Sequence, residues 1–349
     1  MRYFALAVAF ALGSQPSFAD VPVGAITLSD GVLHEDGEPW IPQGFTYQQF
    51  SRPRVPGRTT KLPLDTLLDK QIEVFGADTV RFQVSQAALD PESGLSRPGF
   101  LDRVTEAVAK ARDRGMAVIL SMQWQRQGES LGYNSDPGEA TERAWRVLAE
   151  SFNHDLGVMY EIYNEPIGQG SGLADGWAGW EAEMERLITV VRETSSRNVL
   201  IVQGKNSGHI LTGAPDLDDP LNMVAYAVHP YPLAYNSGYS SMSVADWEEN
   251  FGAFCREGRA CLVTEWMTGS GTKCVEGDTP EIARSFTEYL RENRIGMAGA
   301  WAFDLTNPKF SVETETFQPN RFDTDFACSD TPGPQQGPGE LLRELWAAQ

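Results

Sequence analysis

Residues 160–166 read Tyr-Glu-Ile-Tyr-Asn-Glu-Pro, and this stretch decides how the rest of the chain is interpreted. Its apolar and aromatic residues are typical of a buried strand, and Pro166 cannot continue a central strand because it has no backbone N–H. Asn164 and Glu165 therefore lie where a strand opens into a loop. Residues 261–266, Cys-Leu-Val-Thr-Glu-Trp, form a second apolar strand that ends in a carboxylate, Glu265. We interpret Glu165 and Glu265 as a pair carried by two strands of one barrel.

Eight strand candidates alternate with helical segments along the chain. In the first helical segment, apolar residues from Leu64 to Phe75 recur at helical spacing, and Gly76 follows as a C-terminal cap. One connection, residues 207–221, has no clear helix. Eight strands separated by helices imply a parallel sheet closed into a (β/α)₈ TIM barrel. The strand candidates are residues 41–47, 79–84, 117–122, 158–163, 198–202, 223–228, 261–265 and 296–301.

A doubly wound open sheet is the alternative fold, but no glycine-rich phosphate loop follows the first strand. Before the barrel, residues 26–40 hold two short alternating segments. The turn signals Asp30-Gly31 and Asp36-Gly37 predict a small β-hairpin there. Since no internal repeat or linker is visible, residues 20–349 are predicted to form a single catalytic domain.

The first residues are predicted to be an export signal. Arg2 supplies a positive start, residues 4–12 form an apolar core, and residues 17–19, Ser-Phe-Ala, have the form of a cleavage site. The apolar run is too short for a permanent membrane helix. A buried amino-terminal helix is the alternative. We expect a signal peptide over residues 1–19, cleaved after Ala19, and a secreted or periplasmic protein.

The chain is strongly acidic, with 28 basic and 48 acidic residues and a formal net charge of −20. Such a surface repels nucleic acid, anionic lipid and acidic polymers, so a neutral substrate is the natural partner. Acidity that only keeps an exported protein in solution is the alternative explanation. We expect no nucleic-acid or membrane partner, and we expect a monomer.

Four cysteines can form two disulfides in an oxidising compartment, and their spacing does not fit a zinc site. In the barrel, Cys255 and Cys261 lie at the face where strands begin, whereas Cys274 and Cys328 follow strands at the opposite face. A crossing pair would span the height of the barrel, which is beyond disulfide reach. The expected pairs are Cys255–Cys261 and Cys274–Cys328. The four histidines are scattered, so no metal or cofactor is predicted.

In such a barrel the carboxyl ends of all strands lie at one face, where active sites are found. Strands buried on both faces have no packing reason to end in charged groups, so the polar and aromatic residues at these ends form one candidate site. They are Arg81, Gln123 with Trp124, Asn164, Glu165, His229, Tyr231, Glu265 and Trp301.

Two carboxylates that flank a bond can hydrolyse a glycoside. One protonates the leaving oxygen, and the other attacks carbon or activates water. The acid needs a raised pKa, which Tyr163 and Glu265 could give to Glu165. The nucleophile must stay ionised, and Arg81 and the Tyr231 hydroxyl could serve Glu265 in that way. Ordinary salt-bridged loop carboxylates are the alternative.

Four motifs in this order, each at the end of a strand, resemble glycoside hydrolase family 5, cellulase-like enzymes of the large retaining (β/α)₈ clan. They are Asn164-Glu165-Pro166, His229-Pro230-Tyr231, Thr264-Glu265-Trp266 and Trp301. The resemblance implies that Glu165 is the acid/base and Glu265 the nucleophile. It also implies supporting roles: a bond from Asn164 to the sugar 2-hydroxyl, control of the nucleophile's charge and angle by Arg81 and Tyr231, a lining position for His229, and stacking of Trp301 under the sugar.

One position departs from the family's pattern. Where these enzymes usually carry a histidine after the third strand, residues 121–124 read Ser-Met-Gln-Trp. Gln123 can hydrogen-bond a hydroxyl but cannot change charge near neutral pH. The departure concerns the sugar contact, and hence the substrate, but not the carboxylate pair.

Other aromatic residues could line a cleft for several sugar units. The alternative for Trp180 is the core face of its helix, and the alternative for Trp266 is packing below the site. Three more tryptophans are expected in the core, and three histidines are expected on the surface or in loops. The cleft candidates are Trp124, Trp177, Trp180, Tyr235, Tyr239 and Trp266; the core candidates are Trp145, Trp247 and Trp346; the histidines are His34, His154 and His209.

The sequence therefore predicts an exported retaining β-glycosidase, and we favour one that cuts internal β-1,4 links in a neutral glucan. A mannan-cleaving or exo-acting relative is the alternative within the same fold, and Gln123 keeps it open. A carbohydrate-binding barrel without catalysis is the alternative from another class. A metal-dependent hydrolase is disfavoured because the sequence clusters no metal ligands.

Overall fold

The structure is a computed structural model that describes residues 24–53, 62–123, 137–166, 176–233, 239–268, 274–275, 278–301, 310–312, 317–322, 326, 328 and 336–349. The predicted signal peptide lies outside these residues. Three short strands form an antiparallel sheet, β1 (Ile26–Ser29), β2 (Val32–Glu35) and β3 (Glu38–Pro39). Eight further strands form a parallel sheet: β4 (Gly44–Tyr47), β5 (Thr79–Ser85), β6 (Ala117–Gln123), β7 (Val158–Glu161), β8 (Leu200–Gln203), β9 (Val224–Val228), β10 (Cys261–Val263) and β11 (Gly296–Met297).

The eight parallel strands pair in the order of the chain, from β4 to β11. The ring then closes, because the backbone N–H of Thr46 donates to Ala300 O at 2.9 Å and that of Ala300 donates to Gly44 O at 2.8 Å. A doubly wound sheet would stay open and reverse its strand order. The predicted (β/α)₈ barrel is therefore confirmed.

Helical segments connect the strands. The first predicted helix is present and continues as a π-helical turn, Gln71–Phe75, which ends at Gly76 with a φ of 75°. No helix in the described part of the chain is long and apolar enough to span a bilayer. The helices are α1 (Leu64–Lys70), α2 (Gln86–Leu89), α3 (Phe100–Arg112), α4 (Glu139–Phe152), α5 (Trp177–Glu193), α6 (Lys205–Gly208), α7 (Val244–Trp247), α8 (Ala253–Cys255), α9 (Thr279–Asn293) and α10 (Gly339–Ala348).

The connection between β8 and β9 is the irregular one that the sequence indicates. Its only helical segment is α6, a single turn in which Asn206 and Ser207 have positive φ values of 55° and 59°. The chain then reaches β9 without another helix, although every residue from 204 to 223 is described. Because β8 and β9 are parallel, this connection returns from the carboxyl end of β8 to the amino end of β9, and it does so without a long helix.

Alternate residues of each strand pack into two separate cores. In β6, Val118 and Leu120 belong to the outer core shared with the helices, whereas Ala117 and Ile119 belong to the core inside the barrel. This alternation follows from the period of two along a strand. It assigns each strand residue to the helix layer or to the barrel interior.

The amino-terminal hairpin closes one end of the barrel. Ile26 and Leu33 pack into the inner core together with strand residues such as Met159 and Leu262. The predicted Asp-Gly turns are present, since Asp30 and Asp36 and the glycines after them all have positive φ, as type I′ hairpin turns require. The opposite end of the barrel, where the strands finish, is left for the site.

Both disulfides join the predicted pairs. Cys255 is bonded to Cys261, and Cys274 is bonded to Cys328. The second bond links the segment after β10 to the segment after β11 across 54 residues of sequence. It therefore ties together two connections at the face where the strands end.

Candidate active site

The two predicted carboxylates meet at the carboxyl ends of the strands. Glu165 follows β7, and Glu265 follows β10. One oxygen of each carboxylate and a ring nitrogen of His229 lie within 4.8 Å of one another. The side chain of Glu265 is almost completely buried at 4% exposure, whereas that of Glu165 is 23% exposed. Glu165 is therefore the member of the pair that is more open to a ligand.

Glu265 is held by three hydrogen-bond donors. Its Oε1 accepts from Arg81 Nη1 at 2.8 Å and from Gln83 Nε2 at 2.7 Å, and its Oε2 accepts from the Tyr231 hydroxyl at 2.8 Å. Donors that converge on a carboxylate favour its charged form and fix its orientation. The sequence predicted Arg81 and Tyr231 around Glu265 but missed Gln83.

Burial and these donors have opposite effects on the pKa of Glu265. Burial raises the pKa of Glu265; His229 and Arg81 lower it, the charge of Glu165 raises it, and the net shift is upward. The same burial raises the pKa of Tyr231 well above 10, so its hydroxyl keeps its proton and remains a donor.

Arg81 lies at the centre of the site and is fully buried. Besides Glu265, its guanidinium donates to Glu161 Oε2 at 2.6 Å, to Asn164 Oδ1 at 2.6 Å and to Ser121 Oγ at 2.9 Å. These contacts bring together strands β5, β6, β7 and the segment after β10. A planar, permanently charged donor with this many partners has a fixed position.

Glu161 is a buried carboxylate beside the site, and the sequence assigned it no role. It is fully buried in β7 and accepts from Arg81 and, at 2.7 Å, from Gln203 Nε2. Burial alone would raise the pKa of Glu161, but the charge of Arg81, together with His229 and nearby hydroxyls, gives a net lowering. The barrel interior therefore contains a third carboxylate that stays ionised beside the catalytic candidates.

Gln203, at the end of β8, connects this interior to the carboxylate pair and was also missed. Its Oε1 accepts from the backbone N–H of Glu165 at 2.7 Å, and its Nε2 lies 3.0 Å from Nε2 of His229. His229 Nδ1 lies 3.0 Å from Glu165 Oε1, and burial lowers the pKa of His229 to about 4. His229 is therefore neutral near neutral pH.

The remaining predicted site residues lie around the pair or beyond the described residues. Asn164 and Gln123 are buried at the ends of β7 and β6, and Trp301 is half-buried after β11. Among the described residues, the Gln123 side-chain nitrogen has no hydrogen-bond partner. Trp124 lies outside the described residues.

The aromatic candidates divide into packing and rim residues. Trp180 is fully buried and donates to Gln203 O, and Trp266 is buried against Phe286, so packing is the correct alternative for both. Trp177 is partly buried beneath the Lys205 ammonium, 4.0 Å from its ring. Tyr235 lies outside the described residues, and the tryptophans predicted in the core, Trp145, Trp247 and Trp346, are buried.

Three histidines were predicted to lie on the surface or in loops. His154 is exposed and His34 is half-buried, in line with surface positions. His209 lies in the connection between β8 and β9, but it is only 4% exposed, because its ring stacks on the buried Tyr239 at 4.8 Å. His209 is therefore a buried loop residue, which agrees with the prediction of a surface or loop position.

Within the described part of the chain, one set of side chains, Glu165, His229 and Glu265, could hold a metal ion. Arg81 already occupies Oε1 of Glu265, and its positive charge opposes a second cation at that carboxylate. The donor set therefore suits proton transfer and nucleophilic attack better than metal binding.

Known sequences and structures resemble this chain over the barrel. The cellulase family, glycosyl hydrolase family 5, matches residues 46–306. The cellulase CelDZ1 of a Thermoanaerobacterium species is 27% identical over 221 residues, which cover 58% of this chain and 53% of that protein. Endoglucanase 1 of Robillarda sp. is 28% identical over 196 residues, with coverages of 50% and 48%. The chain thus spans about half the length of these curated relatives.

Solved structures share the fold. A cellulase–inhibitor complex aligns with a TM-score of 0.68 over 94% of this chain and 100% of that chain, at 16% identity. A β-glucanase from Saccharophagus degradans, solved with cellotetraose, aligns with a TM-score of 0.65 over 97% of each chain, at 18% identity. Since the family match runs from the first barrel strand to beyond the last, the chain belongs to the cellulase family, glycosyl hydrolase family 5.

Proposed function

We propose that this protein is a retaining endo-β-1,4-glucanase that cuts a neutral β-glucan, with Glu165 as acid/base and Glu265 as nucleophile. The observation that carries the proposal is the approach of the two carboxylates and His229 to within 4.8 Å. The carboxyl groups of retaining glycosidases are about 5–5.5 Å apart, whereas those of inverting enzymes are about 6.5–9.5 Å apart. The close approach supports a route through a covalent glycosyl-enzyme.

In the first step Glu265 attacks the anomeric carbon while Glu165 donates a proton to the leaving oxygen. Arg81 and Tyr231 hold the two oxygens of Glu265, so the nucleophile presents a fixed angle and its charge is stabilised before attack. In the second step Glu165, now ionised, removes a proton from water, which attacks the same carbon and frees Glu265.

The supporting residues would bind the sugar on either side of this bond. Because Asn164 Oδ1 accepts from Arg81, its NH₂ group is the part that can donate to the sugar 2-hydroxyl. The Gln123 nitrogen would donate to another hydroxyl, Trp301 would stack under the ring at the cleavage point, and Trp124 would add an aromatic contact. The names of the cellulase and endoglucanase relatives support a glucan as substrate.

We also propose that the protein is exported and acts as a monomer. Two disulfides support export, because such bonds persist in oxidising compartments. The formal net charge of −20 supports a neutral polysaccharide as partner and favours neither nucleic acid nor an anionic membrane.

Product analysis on a panel of pure β-glucans and mannans tests the proposal. We expect internal cleavage of β-1,4-glucan with retention of anomeric configuration. A mannanase is the second candidate, because Gln123 replaces the expected histidine at a sugar contact, and faster cleavage of mannan would select it. The Glu265→Gln variant should bind the glucan without turnover, and retained activity in that variant would assign the nucleophile elsewhere. Binding without cleavage by the unaltered protein would indicate an inactive carbohydrate-binding barrel.

A further inference from the structure

The side-chain amide of Gln203 has only one orientation that suits its neighbours. On one side lies the backbone N–H of Glu165, which can only donate, at 2.7 Å. On the other side lies Oε1 of Glu161, an ionised carboxylate that can only accept, also at 2.7 Å. Turning the amide over would set oxygen against oxygen and N–H against N–H. Gln203 Oε1 therefore faces Glu165, and its NH₂ group faces Glu161.

The orientation of this amide determines the state of His229. The NH₂ group of Gln203 has two donors and no acceptor, and one donor is directed at Glu161. The same nitrogen lies 3.0 Å from Nε2 of His229, so Nε2 must present a lone pair rather than a proton. The Thr264 hydroxyl, also 3.0 Å from Nε2, is hydrogen-bonded to Glu161 as well, so with Nε2 bare it donates its one proton to one of these two acceptors.

A neutral imidazole with a bare Nε2 carries its proton on Nδ1. Nδ1 of His229 lies 3.0 Å from Oε1 of Glu165, so this N–H donates to the carboxylate. The other tautomer would place two N–H groups 3.0 Å apart at Nε2 and would need a proton from Glu165 at Nδ1. Doubly protonated His229 meets the same conflict, and its low pKa, about 4, agrees with the neutral ring.

We propose that Gln203 is a positioning residue that fixes His229 as the Nδ1–H tautomer, so that the ring donates to Oε1 of Glu165 and favours Oε2 as the oxygen that carries the acid proton. The proposal rests on the proposed role of Glu165. Glu165 itself has a left-handed φ of 50°, which residues other than glycine rarely adopt. Its N–H would be difficult to satisfy within the strand ladder, and Gln203 supplies that acceptor. One glutamine thus sets both the backbone and the proton of the acid.

The tautomer can be measured directly in the unaltered protein. Long-range ¹H–¹⁵N correlation spectra distinguish protonated from bare ring nitrogens, and the chain has four histidines, so a His229→Asn variant identifies the signal. We expect Nδ1 of His229 to be protonated and Nε2 to be bare at pH 7. A proton on Nε2 would overturn the proposal, whatever the protein's activity.

A Gln203→Met variant tests the consequence for proton donation. If Glu165 is displaced, cleavage slows for substrates whose leaving group needs a proton. Cleavage of 2,4-dinitrophenyl β-cellobioside, whose leaving group needs no proton, should continue at nearly the same rate. Since general acid catalysis contributes about 10²–10⁴-fold, we expect kcat/KM for cellotetraose to fall about 100-fold and that for the dinitrophenyl substrate to change by less than about 3-fold. The basic limb of the pH profile should move to higher pH, because the donor to ionised Glu165 is lost.

The matched control is Gln71→Met. Gln71 is also a fully buried glutamine, lies in the π-helical turn after α1, and has no side-chain partner among the described residues. In this variant, kcat/KM for both substrates should be unchanged. An equal fall for both substrates in Gln203→Met would show a purely structural role and overturn the proposal. If the unaltered protein cleaves neither substrate, the proposed function fails while the tautomer measurement still decides the role of Gln203.

Discussion

Replacing Glu161 by glutamine should destabilise the barrel interior strongly. Both oxygens of Glu161 accept hydrogen bonds, from Arg81 Nε at 2.6 Å and from Gln203 Nε2 at 2.7 Å. A glutamine offers one oxygen, so in either orientation its NH₂ group faces a donor and one bond is lost. Removing one partner of a buried pair costs about 3–5 kcal/mol, and because Arg81 keeps Glu265 we expect about 3 kcal/mol of unfolding free energy. Urea unfolding measures this loss.

The same variant should shift the pH dependence of the enzyme. Without Glu161, Arg81 pairs with Glu265 alone, and a negative charge near Glu265 is removed. Both changes lower the pKa of Glu265, so the acid limb of kcat/KM on an aryl β-cellobioside should move to lower pH.

The matched control is Glu193→Gln, which breaks the exposed pair between Glu193 and Arg146. Exposed pairs contribute about 0–1 kcal/mol, so this variant should have nearly the unfolding free energy of the unaltered protein and the same acid limb of kcat/KM. The reasoning is refuted if Glu161→Gln is no less stable than the control, or if its acid limb moves to higher pH.

Three further outcomes follow from the same structure. Burial lowers the pKa of His229 from 6.5 to about 4, so as the pH falls the unfolded protein binds a proton at this residue before the folded protein does. About 3 kcal/mol of unfolding free energy should therefore be lost between pH 6.5 and pH 4. In the His229→Asn variant, the unfolding free energy should not show this loss over the same pH range. Replacing Cys274 and Cys328 by serine should cost about 4 kcal/mol, against about 2 kcal/mol for Cys255 and Cys261, because the first pair is 54 residues apart and the second six; equal losses in denaturant titration would contradict the loop-entropy argument. Dialysis against a chelator should leave turnover on β-glucan unchanged, whereas a loss of activity that added metal restores would assign a metal to the site.

The barrel could be predicted from the sequence because strands that are buried on both faces appear as apolar runs, and polar residues mark where these runs end. The predicted segment 79–84 corresponds to Thr79–Ser85, and 117–122 corresponds to Ala117–Gln123. The last strand differs more, since regular pairing stops at Met297 and the chain continues only through isolated bridges at Ala300. The end of the last strand depends on its pairing with Phe45, where the barrel closes, and the sequence of the last strand alone does not show this pairing.

Sequence reasoning found most of the residues at the strand ends and Arg81 within β5, but it missed Gln203 at the end of β8 and missed Glu161 and Gln83. Glu265 and Tyr231 were visible because charged or hydroxyl-bearing groups directly follow apolar runs. Glu161 and Gln83 were missed because they lie inside such runs, where a single polar residue does not by itself indicate a site. The burial of His209 was missed for a different reason, since it depends on stacking against Tyr239 from a distant part of the chain.

The deeper layer does carry a signal in the sequence, which becomes readable once the barrel is accepted. Inward positions of a barrel strand are two residues apart, so in β6 they are Ala117, Ile119, Ser121 and Gln123, which change from apolar to polar along the strand. Strands β7 to β10 and the residues that follow them repeat this change, but not always at paired positions, since Ser121 pairs with Glu161 whereas Glu161 pairs with Ile201. The inward pairs that show this change are Met159 with Glu161, Ile201 with Gln203, Ala227 with His229, and Leu262 with Thr264, whereas in β5 both Arg81 and Gln83 are polar. A polar residue at an inward position above an apolar one therefore belongs to the network beneath the carboxylates, whereas the same residue at an outward position would face the helices and would need another explanation.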